Sequence, residues 1–181
     1  EDNHVYSKSM EHDACGVGLI ASTEGKKSRK VVDYGIQALK AVWHRGAVDA
    51  DGKTGDGAGI HIEIASDFFA EKIEITGHKH DNSEICVGMI FLPRNDYAAQ
   101  ENCRTLIESE LTKSNFSIYG WRQVPVNPKV LGAKANATRP EITQVLFTHN
   151  NKKLVGKNLE RKLYESRRKI EKEVIKNAIE G

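Results

Sequence analysis

Cysteine is scarce in this chain. The 181 residues hold three, at positions 15, 86 and 103, with no CxxC spacing among them. An odd, unclustered set supports neither a disulfide framework nor a zinc site, and it fits a reducing, cytoplasmic setting. Long apolar runs are missing: none approaches the roughly 20 residues a membrane helix needs, so no membrane partner is expected. A dominant charge sign is missing as well. The 27 basic and 25 acidic groups leave a net charge of +2, which gives nucleic acid no electrostatic footprint. The first fourteen residues, EDNHVYSKSMEHDA, carry Glu1, Asp2, Glu11 and Asp13 and no apolar centre, which excludes a secretory signal. Internal repeats, low-complexity tracts and clear linkers are absent too.

What remains is the pattern of a globular α+β domain. Hydrophobic residues make up 39% and charged residues 29% of the chain, enough to build a core over this length. GVGLIAS (16–22) reads as a short buried strand, and Val32, Ile36, Leu39 and Trp43 recur at helical spacing from Arg29 to Trp43. Gly35 weakens that helix slightly. In AGIHIEIA (58–65), Ile60, Ile62 and Ile64 alternate as on a half-buried strand. SDFFAEKI then predicts a short helix with Ser66 as its N-cap. Further strands are expected at 84–92, 116–126 and 141–150. A helix is expected at 96–114, with Ala99, Cys103, Leu106, Ile107 and Leu111 near one face. A charged amphipathic helix follows from Gly156 to Ile179, using Leu159, Leu163, Ile170 and Val174. The stretch NPKVLGAKANATRP reads as a connection between Pro128 and Pro140.

Two stretches carry chemical interest. Cys15 stands directly before Gly16 and Gly18, which leave the backbone beside its sulfur uncrowded. A free cysteine is otherwise most often a buried core thiol, and Cys86 and Cys103 are read that way. The second stretch, HRGAVDADGKTGDGAGI (44–60), is a loop far richer in glycine and aspartate than a strand connection requires. Either its glycines simply supply turns, or it is a site loop lying close to the first strand.

CGVGLIA, the helix ending in ALKAVWHRGAVDADGKTGDGAGI, and the DFF after it closely resemble the start of the glutamate synthase large chain. The part resembled is its class II glutamine amidotransferase domain, an N-terminal-nucleophile (Ntn) hydrolase. The match is sharpest from Cys15 to Phe69 and continues in order and character beyond. It implies a four-layer αββα sandwich, here an incomplete N-terminal portion over residues 15–181, preceded by a propeptide-like segment at 1–14. It also implies that the Ala14–Cys15 bond is cut, so that Cys15 becomes the first residue and the nucleophile. A thiol of ordinary pKa is mostly protonated at neutral pH, and a free α-amine can take its proton where an amide nitrogen cannot.

By the same resemblance the substrate is L-glutamine, whose side-chain amide is cleaved through a glutamyl thioester. The ammonia passes to 2-oxoglutarate in the remaining synthase domains, which use FMN and an iron–sulfur cluster, and a small reductase subunit is a possible partner. Arg45 and Gly46 match the family's Arg-Gly beside the nucleophile and are assigned to the glutamine pocket. A guanidinium that does not deprotonate is suited to shaping that pocket, not to acid–base work. The competing reading of Arg45 is a structural ion pair with Asp49 or Asp51. The family's oxyanion-hole Asn-Gly pair does not occur in these residues. Its glutamine-binding arginine and aspartate are expected beyond Gly181, so the isolated fragment is expected to have little glutaminase activity. Alternatives are another class II amidotransferase or a non-catalytic module of the same fold.

Weaker signals read as structure. TGDGAG lacks the GK[ST] ending of a phosphate loop and leads towards a strand pattern. His78, His80 and Asp81 offer no evident fourth metal ligand. His44 is read as a cap on the preceding helix. Glu165 and Lys169 are spaced as an ion pair on an exposed helix face.

Overall fold

A computed structural model describes residues 16–43, 46–81 and 83–177. The described chain is α+β, with five α-helices and one three-stranded antiparallel sheet. It divides into two compact units, one built on residues up to Ile62 together with 128–137, the other on 63–127 and 138 onwards.

The second unit holds the sheet. Its strands are β1 (Cys86–Leu92), β2 (Phe116–Gln123) and β3 (Glu141–His149), in the order β1-β3-β2 with β3 central. The register pairs Gly88 with Val145 on one side and Trp121 with Val145 on the other. Gly88 is needed there, because an added Cβ would lie 2.8 Å from Val145 Cγ1. A bulge between Ile118 and Gly120 shifts the β2 register, and Gly120 takes a φ of +148°, a conformation glycine tolerates best.

Helices cover both faces of this sheet. On one face α3 (Tyr97–Lys113) and α5 (Gly156–Lys176) bury Ile107, Leu111 and Leu159 against Cys86, Phe116, Val145 and Phe147. Asp96 starts α3 by accepting the Ala99 N–H. Ser166 is buried within α5, its hydroxyl satisfied by the Lys162 carbonyl at 2.9 Å. On the other face α2 (Ser66–Ile75) sets Ile73 against Ile85 and Leu146, with Phe69, Ala70, Val87 and Tyr119 at the margin. Ala65, not Ser66, occupies the N-cap of α2, and no side chain caps it. Asp67 in the first turn instead complements the helix dipole. Buried Gln100 joins the expected face of α3 because its amide donates to the Pro93 carbonyl at 2.8 Å. Glu165 pairs with Arg161, one turn before it, where Lys169 was expected.

The first unit holds α1 (Arg29–Ala41), opened by the Ser28 side chain accepting the Lys30 N–H. Gly35 has a packing reason on this helix, since a Cβ there would lie 3.2 Å from Ile60 Cδ1. Residues 16–22 and 58–65 carry no regular structure and enter no ladder among the described residues, contrary to the strand pattern of their sequences. Alternating apolar residues make a strand only when a neighbouring strand supplies hydrogen bonds and a face to cover. Val17 and Leu19 are accordingly almost fully exposed. The stretch read as a plain connection contains a 3-10 turn at Pro128–Val130 and a short helix, α4 (Ala133–Thr138).

Candidate active site

Of the residues singled out in the sequence, Ala14, Cys15, His44 and Arg45 lie outside the described residues. Gly46 is described, and so is the loop that follows it. Its N–H donates to the Trp43 carbonyl at 3.0 Å, closing a turn after α1. Residues 47–56 then form a narrow closed loop. An isolated antiparallel bridge joins Val48 to Gly55, with Asp49 N–H on the Thr54 carbonyl at 2.7 Å and Asp56 N–H on the Ala47 carbonyl at 3.2 Å. Gly52 supplies the turn at the tip, with φ of +67°. A Cβ on Gly55 would lie 2.9 Å from the Ala47 carbonyl oxygen, so the two arms of the loop close only around a glycine.

Each aspartate of the loop has defined work. Asp51 Oδ1 accepts the N–H groups of Lys53 and Thr54, and its Oδ2 accepts the Thr54 hydroxyl at 2.6 Å. The Thr54 hydroxyl first, then the backbone N–H groups, hold the Asp51 carboxyl down at about 2. Asp49 Oδ2 meets Lys134 Nζ at 2.6 Å. Asp56 Oδ2 accepts the Ala47 N–H at 2.9 Å. Among the described residues, Asp49 is thus paired with Lys134 and Asp51 with Thr54.

The segment 128–137 docks on this loop, which the sequence did not disclose. Besides the Lys134 contact, the Ala135 N–H approaches Thr54 Oγ1 at 3.5 Å. Gly132 sits directly over the loop. The only hint in the sequence is a glycine between two turn-forming stretches, too common a pattern to identify its target.

The histidines at 78 and 80 take structural partners. His78 Nδ1 lies 3.0 Å from Thr76 Oγ1, His80 Nε2 lies 2.8 Å from the Ser83 carbonyl, and both rings edge onto Tyr119. Asp81 bonds Lys152 and Ser83, and these partners, Lys152 first, hold its carboxyl well below the usual range. Among the described residues no group of three His, Cys, Asp or Glu side chains is placed to hold a metal ion. No described helix is long and apolar enough to cross a membrane.

Comparison with known proteins decides the family. The sequence profile of class II glutamine amidotransferases matches residues 15–181. The chain belongs to the class II glutamine amidotransferases. Within that family it is similar to the glutamate synthase [NADPH] large chain of Azospirillum brasilense, with 53% identity over 94% of this chain and 11% of the relative. It is 37% identical to ferredoxin-dependent glutamate synthase 2 of Synechocystis sp., over 91% of this chain and 10% of the relative. Glutamate synthase [NADH] of Saccharomyces cerevisiae is 36% identical over 79% of this chain and 7% of its own length. This amidotransferase chain thus spans about a tenth of the length of the curated relatives it matches.

Proposed function

We propose that this chain is the glutaminase part of a glutamate synthase, with Cys15 as nucleophile and residues 1–14 as a propeptide. The observation that carries the reading is that the family match opens on Cys15 itself. Cutting the Ala14–Cys15 bond frees an α-amine, which takes the thiol proton as Sγ attacks the side-chain carbonyl carbon of L-glutamine. The tetrahedral species collapses with loss of ammonia, the amine returning the proton to the leaving nitrogen. Water then hydrolyses the glutamyl thioester to glutamate and free thiol. Arg45 and Gly46 form the pocket wall beside Cys15. The ammonia serves 2-oxoglutarate in the remaining synthase domains of the same chain, and a small reductase subunit is a further partner.

The Ntn-type four-layer αββα sandwich belongs to the same proposal. One sheet backed by α3 and α5 supplies two of its layers. On the other face Met89 and Phe91 are 49% and 54% exposed beyond the reach of α2, apolar surface that a second sheet would cover. FMN and the iron–sulfur cluster belong, in this proposal, to the remaining domains of a complete synthase, and the described residues hold no ligand set for the cluster. Cys86 and Cys103 are single thiols buried in the core, and no donor cluster accompanies them. The same free thiols accord with a reducing cytoplasm.

The test uses the full-length large chain. Its mature N-terminus is read by mass spectrometry, and glutamine hydrolysis is compared with that of Cys15→Ser. Undiminished hydrolysis by the variant overturns the nucleophile, and a hydrolysing protein that retains Glu1 overturns the α-amine mechanism.

A further inference from the structure

Asp56 has no chemical step in the proposed mechanism, yet it holds the residue that follows Arg45–Gly46. Its Oδ2 accepts the Ala47 N–H at 2.9 Å, and its own N–H donates to the Ala47 carbonyl at 3.2 Å. Both backbone polar groups of Ala47 are therefore committed to one residue. The next pair inward is the Val48–Gly55 bridge, closed around a glycine that admits no side chain. Upstream, the Gly46 N–H is tied to the Trp43 carbonyl at the end of the α1 segment. The Gly46–Ala47 backbone is thus fastened twice, at Gly46 by Trp43 and at Ala47 by Asp56.

We infer that Asp56 is a positioning residue for glutamine binding, fixing the Gly46–Ala47 backbone at the proposed pocket. The inference rests on the proposed role of Gly46 in the glutamine pocket. The geometry asks for an acceptor atom at one place, not for a negative charge. A carboxamide oxygen in the same position accepts the Ala47 N–H equally well, a side chain longer by one methylene carries its acceptor elsewhere, and alanine has none. Misplacing binding groups by about 1 Å can cost on the order of 100-fold in efficiency. Loss of contacts made equally to substrate and transition state appears in KM before kcat.

The experiment measures steady-state glutamine hydrolysis by the full-length large chain carrying Asp56→Asn, Asp56→Glu or Asp56→Ala, beside Cys15→Ser. Asp56→Ala and Asp56→Glu are expected to raise KM for glutamine about tenfold or more with a smaller change in kcat, and Asp56→Asn to stay within about threefold of wild type. Should Asp56→Ala fail to fold, as judged by circular dichroism, the contrast between Asn and Glu decides by itself. An Asn variant as impaired as the Glu variant, or a KM unchanged in all three, overturns the inference. A Cys15→Ser chain that still hydrolyses glutamine overturns the underlying site, a result independent of the Asp56 series.

Discussion

A Cβ on Gly132 would lie 2.1 Å from Thr54 Oγ1 and 2.4 Å from Asp51 Oδ2. Two segments far apart in sequence therefore touch with no room for a single methyl group. The Thr54 backbone nitrogen, also at 2.4 Å, makes the obstruction rigid.

Gly132→Ala is accordingly expected to push 128–137 off the 47–56 loop at a cost of about 1–3 kcal/mol to that contact. Hydrogen exchange should accelerate at the amides of Thr54 and Asn136, while the β3 amides keep wild-type protection. Unchanged exchange at Thr54 would contradict the docked arrangement.

The loop tip should resist acid. The Asp51 carboxyl, held at about 2 by Thr54 and Lys53, has a folded-state value below its ordinary 3.8. Its stabilising effect is therefore complete above the ordinary value and is lost as pH falls through about 2. NMR titration of the Lys53 and Thr54 amides should show little movement down to about pH 3 and a shared transition below it. A transition centred near 4 would show that the bonds do not form in solution.

Thiol reactivity separates the three cysteines. Burial pushes the Cys86 thiol up to about 12 and raises Cys103 as well. Native protein treated with iodoacetamide near neutral pH is expected to be alkylated at Cys15 alone, with Cys86 and Cys103 reacting only after denaturation; peptide mass spectrometry reads this directly. Because Cys86 stays protonated in the fold while its unfolded counterpart ionises, stability should also decline as pH climbs from about 9 towards 12. Cys86→Ala should flatten part of that decline in urea melts.

The second unit owes its stability to the central strand. Leu146 is fully buried between Ile73 and Ile85. Leu146→Ala is expected to cost about 2–5 kcal/mol in denaturant unfolding. Met89→Ala, on the exposed part of the same face, should cost far less, within about 0.5 kcal/mol. Equal losses would mean that the Met89 face is covered in solution.

Legibility in the sequence followed where each element finds its partners. The helices at Arg29–Ala41, Tyr97–Lys113 and Gly156–Lys176, and the strands at Cys86–Leu92 and Glu141–His149, were readable to within a few residues. Their apolar periodicity is matched by a face that is buried in the fold, as for Ile107, Leu111 and Leu159. The segments 16–22 and 58–65 carry an equally good pattern and form no strand, because alternation specifies a face and not a neighbour. Gln100 shows the reverse: a polar residue is buried because a carbonyl seven residues back accepts its amide, which no apolar pattern reveals.

At the candidate site, the sequence by itself determined the residue types and their spacing. It set a cysteine ahead of two glycines, an Arg-Gly after a helix and an acid-rich glycine loop, and these are what carry the family. Only the tertiary structure decided what the acids of that loop do. Asp49 meets Lys134 across a separation of 85 residues, Asp51 folds back on Thr54, and Asp56 clamps Ala47. The reason is physical: a carboxylate's chemistry is local, but which donors come within 3 Å of it depends on where distant backbone is brought, and periodicity does not encode that.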